Sequence, residues 1–213
     1  MKRRERMMNT LMGKPVDRPA ICFYEINALD QNPNDSSPFN IYSDPSWKPL
    51  LDLTREKTDR IPRRGLPSVL SNDCQLEALT KRTIVIENGS RITTTEIQCK
   101  DRVLKSVVRR DPDVDTNWTL EHLLKDVEDL IAYLDLPLPK YNEELNVAPI
   151  YEAEKEIGDS GIVLIDVGDP LCRAASLFNM EDYLLIDFTE QDLFHQRLKR
   201  FLTILSKKKK KTA

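Results

Sequence analysis

Apolar and polar positions alternate with different periods along the chain, and those periods predict most of its elements. Met7, Met8 and Leu11 recur at helical spacing over residues 3–11, which predicts a short amphipathic helix ending near Gly13. Pro15 and Pro19 bracket the next turn and push Arg18 toward extended geometry. The following run, AICFYEI at 20–26, is mostly apolar without clean alternation, the pattern of a strand covered on both faces. Residues 27–49 are rich in Asn, Asp, Ser and Pro with Phe39, Tyr42 and Trp47 among them, which predicts a long loop lying over a surface. A short helix over about 47–57 then leads into a short strand and loop within TDRIPRRGLP.

The next pair of elements has the sharpest local signal. RTIVIE and RITTTEIQC flank Asn88-Gly89, the dipeptide that closes tight β-hairpins. In WTLEHLLKDVEDLIAYLDLP, the stripe Leu120, Leu123, Leu124, Val127, Leu130, Ile131 and Leu134 predicts one helix ending before Pro137. YNEELNVAPIYEAEKEIG predicts a further helix reaching Gly158. GIVLIDVGDP reads as a buried strand, Ile162 to Ile165, that delivers Asp166, Gly168 and Asp169 into a loop. Asn179 is placed to cap a helix through Tyr183 and Leu184, and Thr189 with Asp192 resembles a second cap before Leu193, Phe194, Leu198, Phe201, Leu202 and Leu205.

The 213 residues and formal charge of −3 permit one sizeable core or two small ones and argue for no global nucleic-acid field. KRRER reads as a solubilising first turn. No apolar run approaches the roughly 18 residues of a membrane span and no signal peptide is visible, so the cytoplasm is the expected location. Cys22, Cys74, Cys99 and Cys172 have no close pairing and read as reduced thiols.

Alternating helices and covered strands predict an α/β architecture, in which loops at the carboxyl ends of parallel strands collect ligand-binding groups. Glu25 and Asp166 end the two sharpest strands and are expected to face a common pocket. Tyr24, Asn27 and Asp169 extend the candidate substrate-binding set, although the Asn and Asp side chains also suit turn amides. Arg18 reads as a fold-supporting ion pair. Arg60, Arg63 and Arg64 form a basic group for which binding of a substrate carboxylate is the specific alternative. His122 and His195 lack a metal-ligand pattern, and no metal site is expected. There is no dinucleotide, P-loop or G-x-S-x-G motif, and Ser176 and Cys172 have no sequence-defined base, so no catalytic residue is assigned.

The opening RERMMNTLMGKPVDRPAICFYE, with its G-x-x-x-D-R-x-P element, the ENGSRITTTEIQ hairpin, the WTLEHLLKDVEDLIAYLDLP segment and GIVLIDVGDPLCRAASLFNMEDYLLIDF together resemble the uroporphyrinogen decarboxylase and corrinoid-dependent methyltransferase superfamily. The resemblance implies a partial TIM-like (β/α)8 barrel with an inserted β-hairpin. Residues 1–205 would be its N-terminal portion and 206–213 a basic terminal tail whose lysine run suggests a truncated reading frame. FYEINALD stands where the decarboxylases carry M-R-Q-A-G-R, and GDPLCRAAS reaches Ser176 where they carry a tyrosine after A-P-W-T, so the methyltransferase branch is favoured over decarboxylation of a tetrapyrrole. In that branch zinc and a corrinoid methyl donor serve a full-length parent, through ligands in the later barrel half. The chain itself is then expected to bind neither and to be inactive alone. Its expected partners are a small molecule or corrinoid protein, not nucleic acid or membrane, with self-association through exposed barrel edges. A noncatalytic interaction domain using loop 27–49 is the alternative of a different class.

Overall fold

The computed structural model describes residues 1–65, 68–70, 75–166 and 168–209, with backbone alone at 68–70, 141–145 and 205–209. In chain order the elements begin with helix α1 (Arg3–Leu11), helix α2 (Lys48–Lys57), strands β1 (Arg63–Gly65) and β2 (Ser68–Leu70) and helix α3 (Gln75–Ala78). Strands β3 (Thr80–Glu87), β4 (Ser90–Gln98), β5 (Val103–Arg110) and β6 (Asn117–Glu121) follow, then helix α4 (Val127–Asp135) and strand β7 (Tyr141–Leu145). Helix α5 (Ala148–Ile157), strand β8 (Leu164–Asp166) and helices α6 (Pro170–Ala175), α7 (Met180–Thr189) and α8 (Gln191–Lys209) complete the order. The chain divides into two compact units, one of residues 1–67 with 146–166 and the other of 68–145 with 167–213.

In the first unit, α1 starts where the Glu5 carboxylate accepts from the Lys2 amide and stops at Gly13, whose φ of 65° an L side chain adopts only with strain. Pro49 and Pro149 sit in the first turns of α2 and α5, where a missing amide costs nothing. Met7, Leu51, Ala153, Ile157 and Ile162 are buried, and so are Arg6, Thr54, Thr58, Asp59 and Arg60. A core this polar must be internally bonded. Arg6 donates to Asp17 through Nε (2.6 Å) and Nη2 (2.8 Å) and to Asp59 through Nη1 (2.7 Å). Arg18 reaches the other Asp59 oxygen at 2.8 Å. β1 and β8 pair in parallel, Arg63 opposite Leu164 and Gly65 opposite Asp166, and the pairing begins at an Arg60–Gly161 bridge. A Cβ at Gly161 would collide with the Arg60 carbonyl, so only glycine admits that approach.

In the second unit β3–β4–β5–β6 form an antiparallel meander, and β2 pairs antiparallel with β7. The core joins Ile97, Cys99 and Leu104 of the sheet region to Leu124, Leu130, Phe178, Ile186 and Phe194 from the helices and their connections. Arg197 is fully buried within it, its guanidinium 5.0, 4.9 and 4.8 Å from the ring centroids of Phe178, Tyr183 and Phe194.

The expected barrel is not there. Among the described residues the sheets are two two-stranded pairs and one four-stranded antiparallel meander, none closed on itself, and a barrel needs one continuous closed ladder. The expected first strand at 20–26 forms no ladder, because Ile21 spends its amide on the Asp59 side chain (2.9 Å) and its carbonyl on the Asp59 amide (2.7 Å). The single helix expected over the Leu120 stripe begins instead as β6, with helix only from Val127 after an Asp126 cap. The helix expected from Tyr141 likewise opens as β7. Leu164 and Ile165 are 47% and 44% exposed, so β8 is not the buried strand that its apolar run suggested. α8 continues through Lys209, into the stretch expected to be a tail, and 210–213 lie outside the described residues.

Candidate functional site

The segment after Tyr24 is shaped by side chains bonding to their own backbone. Asn27 Oδ1 accepts from the amides of Leu29 (2.8 Å) and Asp30 (3.1 Å), while its Nδ2 donates to Asp30 Oδ2. Gln31 Oε1 accepts from the amides of Asn27 (3.2 Å) and Ala28 (2.9 Å), and Gln31 Nε2 donates to the Glu25 carbonyl. These bonds hold Ala28 at a φ of 54°, a left-handed conformation that alanine rarely adopts. Beneath the segment, buried Arg60 donates through Nε to the Asn27 carbonyl at 2.6 Å and through Nη1 to Ser160 Oγ at 3.2 Å. The loop is therefore anchored from below as well as within itself.

Above this anchor lies an open polar depression of about 370 Å³ in the first unit. Tyr24, Glu25, Asn27, Asp30 and Gln31 line it from the loop, Arg63 from β1 and Asp166 from the end of β8. Arg63 lies 4.7 Å over the Tyr24 ring, and its Nη1 is 3.1 Å from the Tyr24 hydroxyl. Arg64 pairs with Asp30 at 2.7 Å. Besides that pair, the lining contains the Glu25 carboxylate, the Asp166 carboxylate, which already takes part in another interaction, the Arg63 cation and an aromatic face.

Of the five residues singled out in the sequence, Tyr24, Glu25, Asn27 and Asp166 lie together here. Asp169 does not; it belongs to the second unit and caps α6, accepting from the Cys172 amide at 2.9 Å. Arg18 makes the fold-supporting pair expected of it. The arginine group divides: Arg60 anchors the loop, Arg63 joins the lining and Arg64 neutralises Asp30. Asp30 and Gln31 were not singled out, although Asn27-x-x-Asp30 has the side-chain-to-backbone spacing that would have found them. His122 and His195 contact backbone carbonyls of Ser176 and Gln191. Among the described residues no cluster of three or more His, Cys, Asp or Glu is placed to hold a metal ion.

A second depression, of about 280 Å³, lies in the second unit and is largely apolar, with Leu79, Cys99, Leu136 and Pro137 in its wall. Burial and the nearby Asp129 push the Cys99 thiol above its ordinary pKa, away from the thiolate form that nucleophilic chemistry uses.

Comparison with known protein families, curated proteins and solved structures found no match. With no family match and no barrel, membership of the uroporphyrinogen decarboxylase and corrinoid methyltransferase superfamily is withdrawn. Decarboxylase and methyltransferase activity, the corrinoid connection and the half-barrel organisation fall with it. No helix among the described residues is long and apolar enough to cross a membrane.

Proposed function

We propose that the first unit binds a small polar molecule carrying a positive charge, in the depression between Tyr24, Glu25, Arg63 and Asp166. The observation that carries this reading is convergence: three stretches far apart in the chain line one depression, a loop that its own side chains pre-form, Arg63 at the start of β1 and Asp166 at the end of β8. Pre-formed sites avoid the cost of ordering on binding. The strained Ala28 backbone is consistent with a site whose shape is held against local preference. Glu25 and Asp166 supply acceptors for an ammonium group, and the Tyr24 face supplies apolar contact. Arg63 would accept a second, electron-rich end of the same molecule. The volume lies near the lower end of the roughly 300–1,000 Å³ typical of small-ligand sites, so the ligand is metabolite-sized. The cytoplasm is the setting this reading assumes, and free thiols at Cys22, Cys99 and Cys172 are compatible with it.

Titration of the full chain with ethanolamine, lysine and glucosamine, with glucose as a neutral control, followed by amide NMR, tests the reading. The amines should shift the Ala28, Gly65 and Asp166 resonances, glucose should not, and Asp166→Asn should weaken binding about tenfold, the scale of one charge-assisted hydrogen bond. Failure of every amine to perturb these amides, or equal response to glucose, overturns it.

A further inference from the structure

The exposed edge of the meander has a self-complementary sequence. β3 is the outer strand of its sheet, and it runs through eight consecutive pairs with β4 without a bulge or proline. Such an edge is a template for another strand unless something blunts it. Ile84, Val85 and Ile86 on this strand are 63%, 41% and 60% exposed.

The turn fixes which backbone groups face outward. Asn88 and Gly89 have φ of 50° and 83°, the two-residue turn in which the flanking residues, Glu87 and Ser90, exchange both main-chain bonds. Hydrogen-bonded and non-bonded pairs alternate from there. Lys81, Thr83, Val85 and Glu87 therefore spend their amides and carbonyls on β4. Arg82, Ile84 and Ile86 turn theirs toward the open edge.

We propose that β3 pairs antiparallel with β3 of a second copy of this chain, about a two-fold axis through Ile84. In that register Ile84 meets its own copy and Arg82 meets Ile86, which joins the outward-facing residues in hydrogen-bonded pairs. Thr83 meets Val85, and Lys81 meets Glu87, on the other face of the strand. The charges at the two ends of the strand are opposite, so the two-fold produces two Lys81–Glu87 attractions instead of two repulsions. Arg82 is held by Glu77 of its own chain at 3.1 Å, which leaves its methylene stem to lie along Ile86 of the second copy. The other sheet edge competes poorly: β6 has five residues, and its pairing with β5 is broken by a register shift between Val107 and Val108. Pairing β3 to β3 also uses both matched edges at once, so the assembly closes at two copies.

The test is the mass of the full chain in solution, by sedimentation and light scattering across a concentration series. The wild-type chain should pass from monomer to dimer. Lys81→Glu and Glu87→Lys should each weaken the dimer about tenfold, since each turns two symmetric attractions into repulsions, and the double variant should restore it. Ile84→Cys should cross-link to its copy under oxidation, because hydrogen-bonded antiparallel partners lie about 5.5 Å apart at Cα, within disulfide reach. Glu87→Cys, placed far from its own copy, should not cross-link above the wild-type background. Lys81 also faces Glu96 across the β3–β4 ladder, whereas Glu87 faces Ser90, so circular dichroism identifies any variant that fails to fold and Glu87→Lys is the reversal that leaves the ladder without a like-charge pair. A chain that stays monomeric at all concentrations, a dimer insensitive to the reversals, a double variant no better than the singles, or an open-ended series of larger species each overturns the proposal.

Discussion

Arg6 and Asp59 form an ion pair inside the first unit, Nη1 lying 2.7 Å from Oδ1 with 6% and 0% of the two side chains exposed. Arg18 completes the neutralisation from the surface side. Removing one partner of such a pair is worse than never having built it, because Arg6, although still held by Asp17, loses the charged acceptor of its buried Nη1. Asp59→Asn should therefore lower the stability of the first unit by about 3–5 kcal/mol. The two tryptophans allow the units to be followed separately: Trp118→Phe leaves Trp47, in the first unit, as the single indole. Urea unfolding followed by Trp47 fluorescence measures the loss, and a change below about 1 kcal/mol would mean that the network contributes little.

The same carboxylates give the first unit an acid limit. The Arg6 guanidinium holds the Asp17 carboxyl well below the ordinary range. At Asp59 burial pushes upward, but the Ile21 amide, Arg6 and Arg18 outweigh it and the pKa is lowered. A carboxylate with a depressed folded-state pKa contributes stability above its unfolded value, and the contribution disappears as pH falls through the folded value. Urea midpoints reported by Trp47 should stay level from pH 7 down to about 5 and fall below about 4. In Asp59→Asn the remaining decline should be shallower.

Arg197 poses the opposite case, a buried cation whose three nitrogens meet no well-aligned acceptor among the described residues, the Tyr183 hydroxyl being a polar group that acts on it. Three aromatic faces surround it, and burial holds its pKa below the ordinary arginine value. Desolvation costs several kcal/mol, whereas each desolvated ring contact returns about 2 kcal/mol, so the two nearly cancel. Arg197→Met, which keeps the volume and adds sulfur–aromatic contact, should leave the second unit at least as stable. Arg197→Ala should cost about 2–5 kcal/mol through the cavity it opens. Thermal unfolding of the second unit, followed by Trp118 fluorescence in a Trp47→Phe background, compares them. A large loss in the methionine variant would show that the charge itself is required.

Gly89 carries a φ of 83° in the hairpin turn, where any side chain is strained. Gly89→Ala should destabilise the second unit by about 1–2 kcal/mol, read in the same Trp118 assay. Unchanged stability would mean that the turn adapts without penalty.

Short-range signals were legible in the sequence wherever a residue and its partner are close in the chain. α1 has the predicted bounds because Glu5 and Gly13 mark its ends locally, Asn88-Gly89 places the hairpin, and Asn179 caps α7 through the Asp182 amide as expected. Elements decided by distant partners were not legible. Ile21 is drawn out of any strand by Asp59, and residues 117–121 become a strand because β5, which was not anticipated, offers them a ladder. The stripe Leu120, Leu123, Leu124 fits a helix equally well, yet Leu123 and Leu124 enter the core from a connection after the strand. At the candidate site, four of the five residues named fall in the lining because polar groups after apolar runs tend to gather. The scaffold that gathers them is a short parallel pair and a self-bonded loop, neither of which leaves a periodic pattern.

The parallel pairing of Arg63 with Leu164 also bears on how the molecule is made. During synthesis β1 leaves the ribosome long before β8 exists, while β3 to β6 emerge in sequence, each strand beside the one just finished. The meander is thus positioned to form on the nascent chain, and the first unit waits for its last strand.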